Sequence, residues 1–96
     1  MRESDIEDYL VTRVKVMGGE VRKVQWIGRN GAPDRLVMLP TRPQIWFELK
    51  APGKAATFPA NAHERMQHRE HERMRAMGQR VEVVDSYAGV DKVLGW

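Results

Sequence analysis

Two short apolar runs joined by a proline-bounded turn constrain the fold of this chain more than any other feature. The runs are residues 36–39 and 45–47, and the turn between them reads Pro40-Thr41-Arg42-Pro43. Such runs on either side of a short turn predict two neighbouring antiparallel strands. Asp34 precedes the first run and Glu48-Leu49-Lys50 follows the second. The start of one strand and the end of the other therefore bring these polar residues to one edge of a sheet.

Asp34, Glu48 and Lys50 are the residues at that edge whose side chains can bind a metal ion or a phosphate. Alternate side chains of a strand share a face, so Glu48 and Lys50 point one way and Leu49 points the other. Carboxylate oxygens are ligands that Mg²⁺ prefers, and an adjacent lysine can hold a phosphate or orient a water molecule. These parts suit metal-assisted phosphodiester hydrolysis. The rival interpretation is an interaction domain in which the acids pair only with basic side chains.

The composition excludes several classes of protein. With 96 residues, 42% apolar and 30% charged, the chain suits one globular domain with a modest core. It has no cysteine, which excludes a disulfide scaffold and a thiolate zinc site. No apolar run approaches the roughly 18 residues of a membrane span and no signal peptide is visible, so we expect a cytoplasmic protein without a membrane partner. The net charge of +3 is compatible with a nucleic-acid partner but does not identify one.

Hydrophobic periodicity predicts an α-β-β-β-α-β-α order along the chain. The predicted elements are a helix at residues 4–17, strands at 21–26, 35–39 and 45–49, a helix at 62–77, a strand at 81–84 and a short helix at 87–94. Gly18-Gly19 and Gly78 end the first two helices. The helix between the third and fourth strands is a crossover, which makes those two strands parallel. The expected fold is therefore α/β with a mixed sheet.

One carboxylate of the first helix falls where an apolar side chain is expected. The apolar stripe of this helix consists of Ile6, Leu10, Val14 and Met17. Glu7 lies inside that arc, and a carboxylate facing a core is costly unless a partner compensates it. A metal would be such a partner, which makes Glu7 a candidate third acid and Glu3, one turn earlier, its alternative. The plainer interpretation leaves Glu7 at the edge of the stripe, in solvent or paired with Arg13 or Lys15.

The second long helix mixes polar and apolar side chains on one face. Its predicted apolar residues are Met66, Met74 and Met77. His63, Gln67 and Glu70 fall on the same face, where Gln67 either orients a phosphate or water or makes a buried hydrogen bond to the backbone. The spacing of His63, His68 and His71 does not match the HExxH zinc pattern. We therefore predict that the histidines belong to a solvated basic surface.

Basic residues cluster in sequence around the acidic motif. They are Arg29, Arg35, Lys50 and Lys54, with Asn30 in the glycine-rich loop before Asp34. Arginine and lysine are the usual donors to phosphate groups. As a group these residues predict contacts with a nucleic acid, although any one of them alone is more commonly just solvated.

Pro33-Asp34 followed by Glu48-Leu49-Lys50 matches the PD-(D/E)XK signature of a nuclease superfamily. Further stretches of the chain resemble one family within this superfamily. They are residues 28–37, residues 47–54, Gln67 with Met74 and Gly78, and residues 81–86. Residues 28–37 resemble that family's glycine-rich approach to the aspartate, and residues 47–54 resemble its ELKAPG stretch. Together they resemble the virus-type replication-repair nuclease domain, VRR-NUC, across nearly all of residues 1–96, taken as a single domain.

The resemblance implies a restriction-endonuclease-like αβββαβ core, with a mixed central sheet flanked by helices. It also implies DNA cleavage that depends on Mg²⁺ or Mn²⁺. The metal ligands implied are Asp34, Glu48, the backbone carbonyl of Leu49 and, as the helix-one acid, Glu7. Lys50 takes the place of the catalytic lysine, and Gln67 that of a supporting catalytic glutamine.

Stand-alone members of this length are similar to viral and bacterial nucleases that form homodimers and act on branched DNA, above all four-way (Holliday) junctions. A twofold dimer brings two active sites, which suits the two symmetric nicks that resolve a junction. The expected location is the cytoplasm of a bacterium or a phage-infected cell. The alternatives are a flap or duplex-end nuclease with the same chemistry, and a non-catalytic DNA-binding module that keeps the fold without the metal.

Overall fold

The computed structural model describes residues 1–96 and contains every predicted element. In chain order these are α1 (Glu3–Val16), β1 (Glu20–Lys23), β2 (Arg35–Met38), β3 (Ile45–Leu49), α2 (Ala62–Ala76), β4 (Arg80–Val84) and α3 (Tyr87–Leu94). The largest difference is β1, which ends at Lys23 and not at Trp26. The Trp26 indole donates a hydrogen bond to Glu70 on α2. None of the three helices combines the length and apolarity that crossing a bilayer requires.

The four strands form one mixed sheet in the order β1-β2-β3-β4. β2 pairs with β1 and with β3 in antiparallel fashion, whereas β3 and β4 are parallel. The predicted hairpin, the predicted crossover and the α/β fold class are therefore confirmed. Because Arg35 lies opposite Phe47 in the register of β2 and β3, Asp34 and Glu48 come to the same end of the sheet.

One face of the sheet carries the apolar core beneath α1 and α3. Its buried residues are Ile6, Leu10, Val14, Val37, Leu39, Ile45, Phe47, Leu49, Val84, Val90 and Leu94. The predicted stripe of α1 supplies three of them, Ile6, Leu10 and Val14, each with no exposed surface. β3 contributes every second residue to this core, which turns Trp46 and Glu48 to the opposite face.

Helix α2 covers that opposite face with a largely polar stripe. Its buried residues are Gln67, Glu70, His71 and Met74. The helix begins after Asn61, whose side-chain oxygen accepts a hydrogen bond of 2.9 Å from the backbone N–H of Glu64. The side chains from Gln67 to Met74 therefore pack on the sheet, and the first turn does not.

Three predictions about α2 are wrong in detail. Met77 and His63 do not lie on the packed face but are exposed, because they lie at the two ends of the helix. The exposure of His63 agrees with the predicted solvated basic surface. His71 was expected on a solvated basic surface, but it has no exposed surface at all. The helical wheel failed here because the partner that His71 packs against is polar.

Candidate active site

The site lies where β2 begins and β3 ends. Asp34 Oδ2 accepts a 2.8 Å hydrogen bond from the backbone N–H of Leu49, which fixes the aspartate against the end of β3. The Asp34 carboxyl group also lies close enough to that of Glu48 for each to affect the pKa of the other. Glu48 is 1% exposed, whereas Asp34 is half-buried and lines a cavity.

Both carboxyl groups resist ionisation in this environment. Burial raises the pKa of Asp34 to about 7, and the hydrogen bond and charge of Glu48 add to that effect. Burial also raises the pKa of Glu48, although the hydrogen bond from Asp34 and the charge of Lys50 oppose it. Each group would ionise more readily beside a positive charge, so the pair forms a donor set that suits a divalent cation.

Helix α2 contacts both oxygens of Glu48. Gln67 Nε2 donates a hydrogen bond of 3.3 Å to Oε2, and His71 Nε2 lies 3.1 Å from Oε1. Burial, aided by the positive charges of Arg75 and Lys50, lowers the pKa of His71 to about 4, so its imidazole is neutral at pH 7. The sequence analysis placed Gln67 at this site but missed His71.

Gln67 and Glu64 of α2 hold the Lys50 ammonium beside Glu48. Its Nζ donates to Gln67 Oε1 at 2.9 Å, lies 3.0 Å from Glu64 Oε2 and is 4.0 Å from Glu48 Oε2. The ring of Phe58 lies 5.1 Å from the same nitrogen. Sequence reasoning missed Glu64, although its position three residues after the capping Asn61 is a recognisable helix-start signal.

Glu7 reaches the same end of the sheet from α1, but its carboxylate pairs with Arg35. The plainer interpretation offered Arg13 or Lys15 as its partner, and the actual partner comes instead from β2. A cavity of about 170 Å³ joins Glu7 to the site, lined by Glu3, Ser4, Glu7, Asp34, Arg35 and Leu49. Glu3 and Glu7 therefore both border Asp34, yet no three acidic or histidine side chains are arranged as a ready metal-ligand cluster.

The predicted nucleic-acid contacts have different environments. Arg29 Nη2 donates to Glu70 Oε1 at 2.8 Å, but the arginine side chain remains 51% exposed. Arg35 is largely buried in its pair with Glu7. Asn30 is exposed and lines a cavity with Gln67, whereas Lys54 lines a separate cavity that Lys50 also borders.

Glu70 anchors the loop that leads to Asp34, a role that sequence reasoning missed. Its Oε2 accepts a 2.8 Å hydrogen bond from Trp26 Nε1, while its Oε1 binds Arg29. Gly31 lets the loop approach α2, because a Cβ there would lie 3.0 Å from Glu70 Cβ and its φ is +94°. One buried carboxylate thus holds the loop at two points, Trp26 and Arg29.

Comparison with known proteins gives two likenesses that extend over most of the chain. It is 44% identical over 86 residues to the candidate nuclease p44 of Acyrthosiphon pisum secondary endosymbiont phage 1, covering 90% of this chain and 85% of that protein. A solved structure described as a VRR_NUC domain shares 36% identity with a TM-score of 0.78, covering 97% of this chain and 94% of that one. No family model matches the sequence.

Proposed function

Because the chain belongs to the VRR-NUC family and is therefore a nuclease, we propose that it is a metal-dependent endonuclease acting on DNA. The observation that carries this proposal is the pairing of half-buried Asp34 with buried Glu48, with Lys50 beside them. Phosphodiester hydrolysis requires a cation site, a positioned nucleophile and stabilisation of the charge that grows on phosphate. The end of the sheet supplies side chains for each requirement within one small volume.

Asp34, Glu48 and the backbone carbonyl of Leu49 are the groups that would hold Mg²⁺ or Mn²⁺. Glu7 would join them by exchanging its ion pair with Arg35 for the metal. A bound ion supplies activation of water and neutralisation of the phosphate charge. The raised pKa values of Asp34 and Glu48 support this assignment, because the pair gains most from a nearby positive charge.

Lys50 provides the positive charge nearest the carboxylate pair. Gln67 and Glu64 hold its ammonium in place, so little reorganisation is needed when negative charge develops on a phosphate oxygen. Gln67 contacts both Glu48 and Lys50 and thereby sets their separation. We assign Lys50 to charge stabilisation or nucleophile orientation, and Gln67 to support of both groups.

Phosphate contacts outside the site fall to Arg29, Asn30, Arg35 and Lys54. Arg29 and Asn30 belong to the loop held by Glu70, and Lys54 follows β3 beyond Lys50. Arg35 borders the cavity that Asp34 lines, and Lys54 borders one that Lys50 lines. Arg29 and Asn30 border one that Gln67 lines. Backbone contacts of this kind position a nucleic acid without reading its sequence.

We further propose that residues 1–96 act as a single domain in a homodimer that cuts branched DNA, with four-way junctions as the preferred substrate. The fold has a largest dimension of 36 Å, which is about one turn of a DNA duplex. One copy therefore covers one arm, and each copy offers one set of Asp34, Glu48 and Lys50. Two symmetric nicks call for two such sites, which a twofold dimer provides.

The test is cleavage of labelled four-way junction, flap and linear duplex DNA with Mg²⁺, Mn²⁺ or a chelator, with Asp34→Asn as the inactive control. Paired symmetric nicks in the junction, lost with chelator and with the variant, are the expected result. Cutting confined to flaps or ends would keep the chemistry and overturn the junction assignment. Tight junction binding without cutting in either metal would favour a DNA-binding module.

A further inference from the structure

The imidazole of His71 is the one fully buried polar side chain at the site that the mechanism above does not use. It lies one helical turn beyond Gln67 on α2, and these two residues contact different oxygens of Glu48. His71 has no exposed surface and Glu48 is 1% exposed. Water therefore has little access to the 3.1 Å contact between His71 Nε2 and Glu48 Oε1.

The surroundings of the ring determine which nitrogen carries the proton. Nδ1 is buried and has no hydrogen-bond partner, whereas Nε2 faces a carboxylate oxygen. A neutral imidazole has one N–H and one lone pair. Placing the N–H on Nε2 satisfies Glu48, whereas placing it on Nδ1 would bury a donor that has no acceptor. The geometry therefore favours the Nε2–H tautomer.

Packing also fixes the orientation of the ring. Phe58 stacks on it with a centroid distance of 5.6 Å and an interplanar angle of 21°. The same phenyl ring lies under the ammonium of Lys50. A ring held in this way aims its N–H in one direction, so it restricts rotation of the carboxylate that accepts the bond.

We propose that His71 is a positioning residue for Glu48, holding Oε1 so that the carboxylate presents a fixed orientation to Asp34 and to a divalent cation. This inference rests on the proposed metal-dependent function. Outer partners that orient metal ligands change metal affinity or activity by about 10- to 100-fold when removed. His71 is thus expected to act on metal binding, through Glu48, without touching the DNA.

The test compares His71→Leu, which removes the donor, with His71→Gln, whose amide N–H replaces Nε2–H. Mn²⁺ and Mg²⁺ binding is measured by calorimetry without DNA, and the metal dependence of cleavage is measured separately. We expect His71→Leu to weaken metal binding by about 10-fold or more, and His71→Gln to restore it to within about threefold of the wild type. The KM for DNA at saturating metal should not change.

Met74→Ala is the matched control, because Met74 is buried on the same stripe of α2, three residues further on. It should lower the Tm and leave metal affinity unchanged. Wild-type metal affinity in a folded His71→Leu variant would overturn the inference while leaving the proposed function intact. Wild-type protein that neither binds metal nor cleaves DNA would overturn both.

Histidine ¹⁵N resonances of the wild type provide a measurement that does not depend on the folding of any His71 variant. We expect the Nε2–H tautomer, with resonances that move when Mg²⁺ is added. An Nδ1–H tautomer would overturn the inference, because the proton would then lie on the nitrogen that does not face Glu48.

Discussion

The two faces of the sheet are built from opposite kinds of side chain. The core between the sheet and helices α1 and α3 consists of eleven buried residues, all apolar. Under α2 the buried residues include Glu48, Gln67, Glu70 and His71, and only a few apolar side chains accompany them. Apolar burial stabilises a fold by about 25 cal/mol for each Å² removed from water, whereas buried polar groups at best balance their desolvation. The first face therefore stabilises the fold, and the second uses that stability to hold charged groups in place.

Strand β3 serves both faces through its alternation. Ile45, Phe47 and Leu49 enter the apolar core, whereas Glu48 turns towards α2. A shift of one residue in register would exchange the two sets of side chains, so the apolar core also fixes where the carboxylate points. The residues that stabilise the fold and those that form the site lie on opposite faces of the sheet, but both sets depend on the register of β3.

The largest effect should come from removing charge on the α2 face. Asp34→Asn and Lys50→Ala should each reduce cleavage by about 1,000-fold or more, because each removes a charge on which the reaction depends. The metal-free Tm of Asp34→Asn should equal or exceed that of the wild type, since burial already disfavours the charged aspartate. Single-turnover cleavage and thermal unfolding in chelator measure the two quantities.

A wild-type cleavage rate in either variant would show that the residue concerned is wrongly assigned. A large loss of Tm in either variant would contradict the contrast between the two faces, because the polar face would then also stabilise the fold.

A substitution in the apolar core should instead lower stability and leave the rate of cleavage unchanged. Leu10→Ala should lower the free energy of unfolding by about 2–5 kcal/mol, because Leu10 has no exposed surface and its removal leaves a cavity. Cleavage per folded molecule should stay near the wild-type rate at temperatures where the variant is folded. Urea unfolding and cleavage at 20 °C or below test both expectations, with exposed Val16→Ala as the control.

The apolar face could be predicted from sequence because its pattern is local. Spacings of three and four gave α1, and alternation gave β3 and its hairpin partner, so Asp34, Glu48 and Lys50 were correctly expected at one end of the sheet. The polar face could not be predicted in the same way. His71 is 23 residues from Glu48, and a helical wheel cannot distinguish a histidine in solvent from one bonded to a distant buried carboxylate.

Glu70 shows the same limit, since its partners Trp26 and Arg29 are 44 and 41 residues away. The pairing of Glu7 with Arg35 was missed for the same reason, because only nearby basic residues were considered. Buried polar residues are defined by their partners, and those partners become visible only in the folded chain.

The pH dependence of stability should also separate the faces, because only the polar one titrates. Without metal, the folded pKa of Asp34 is about 7 against an ordinary 3.8, so unfolding releases a proton and stability falls as the pH rises towards 7. His71 acts in the opposite sense, since its folded pKa of about 4 lies below the ordinary 6.5 and stability rises over that range. Between pH 6.5 and 7.5 the His71 effect fades, because the unfolded imidazole loses its proton near pH 6.5, and the Asp34 effect exceeds it.

In chelator, the free energy of unfolding of the wild type should therefore fall between pH 6.5 and 7.5, and the Tm with it. The slope should stay well below the roughly 1.4 kcal/mol per pH unit of one full proton, because His71 partly offsets the effect of Asp34. Asp34→Asn should not show this decline. With Mg²⁺ present the stabilisation by metal should grow over the same range, because the metal and the proton compete for the carboxylate pair. A decline that persists in Asp34→Asn would place the titrating group elsewhere.

A small effect on cleavage is expected from Glu70, which belongs to the polar face but lies outside the carboxylate pair. Glu70→Gln keeps the size of the side chain and removes the charge that binds Arg29. We expect a loss of about 1–2 kcal/mol in the free energy of unfolding, with faster hydrogen exchange in residues 26–31. Cleavage should fall only a few-fold, because Asp34 itself remains bonded to the backbone of Leu49.

The matched control is Glu72→Gln on the same helix, where the carboxylate is exposed and pairs with Arg75 at the surface. It should change neither exchange nor cleavage, since exposed ion pairs contribute about 0–1 kcal/mol. If Glu70→Gln left the loop equally protected, the loop would be held by packing at Gly31 and not by the carboxylate. If it abolished cleavage, the loop would be part of the reacting site, and the division between an anchoring and a reacting set of polar residues on the α2 face would be wrong.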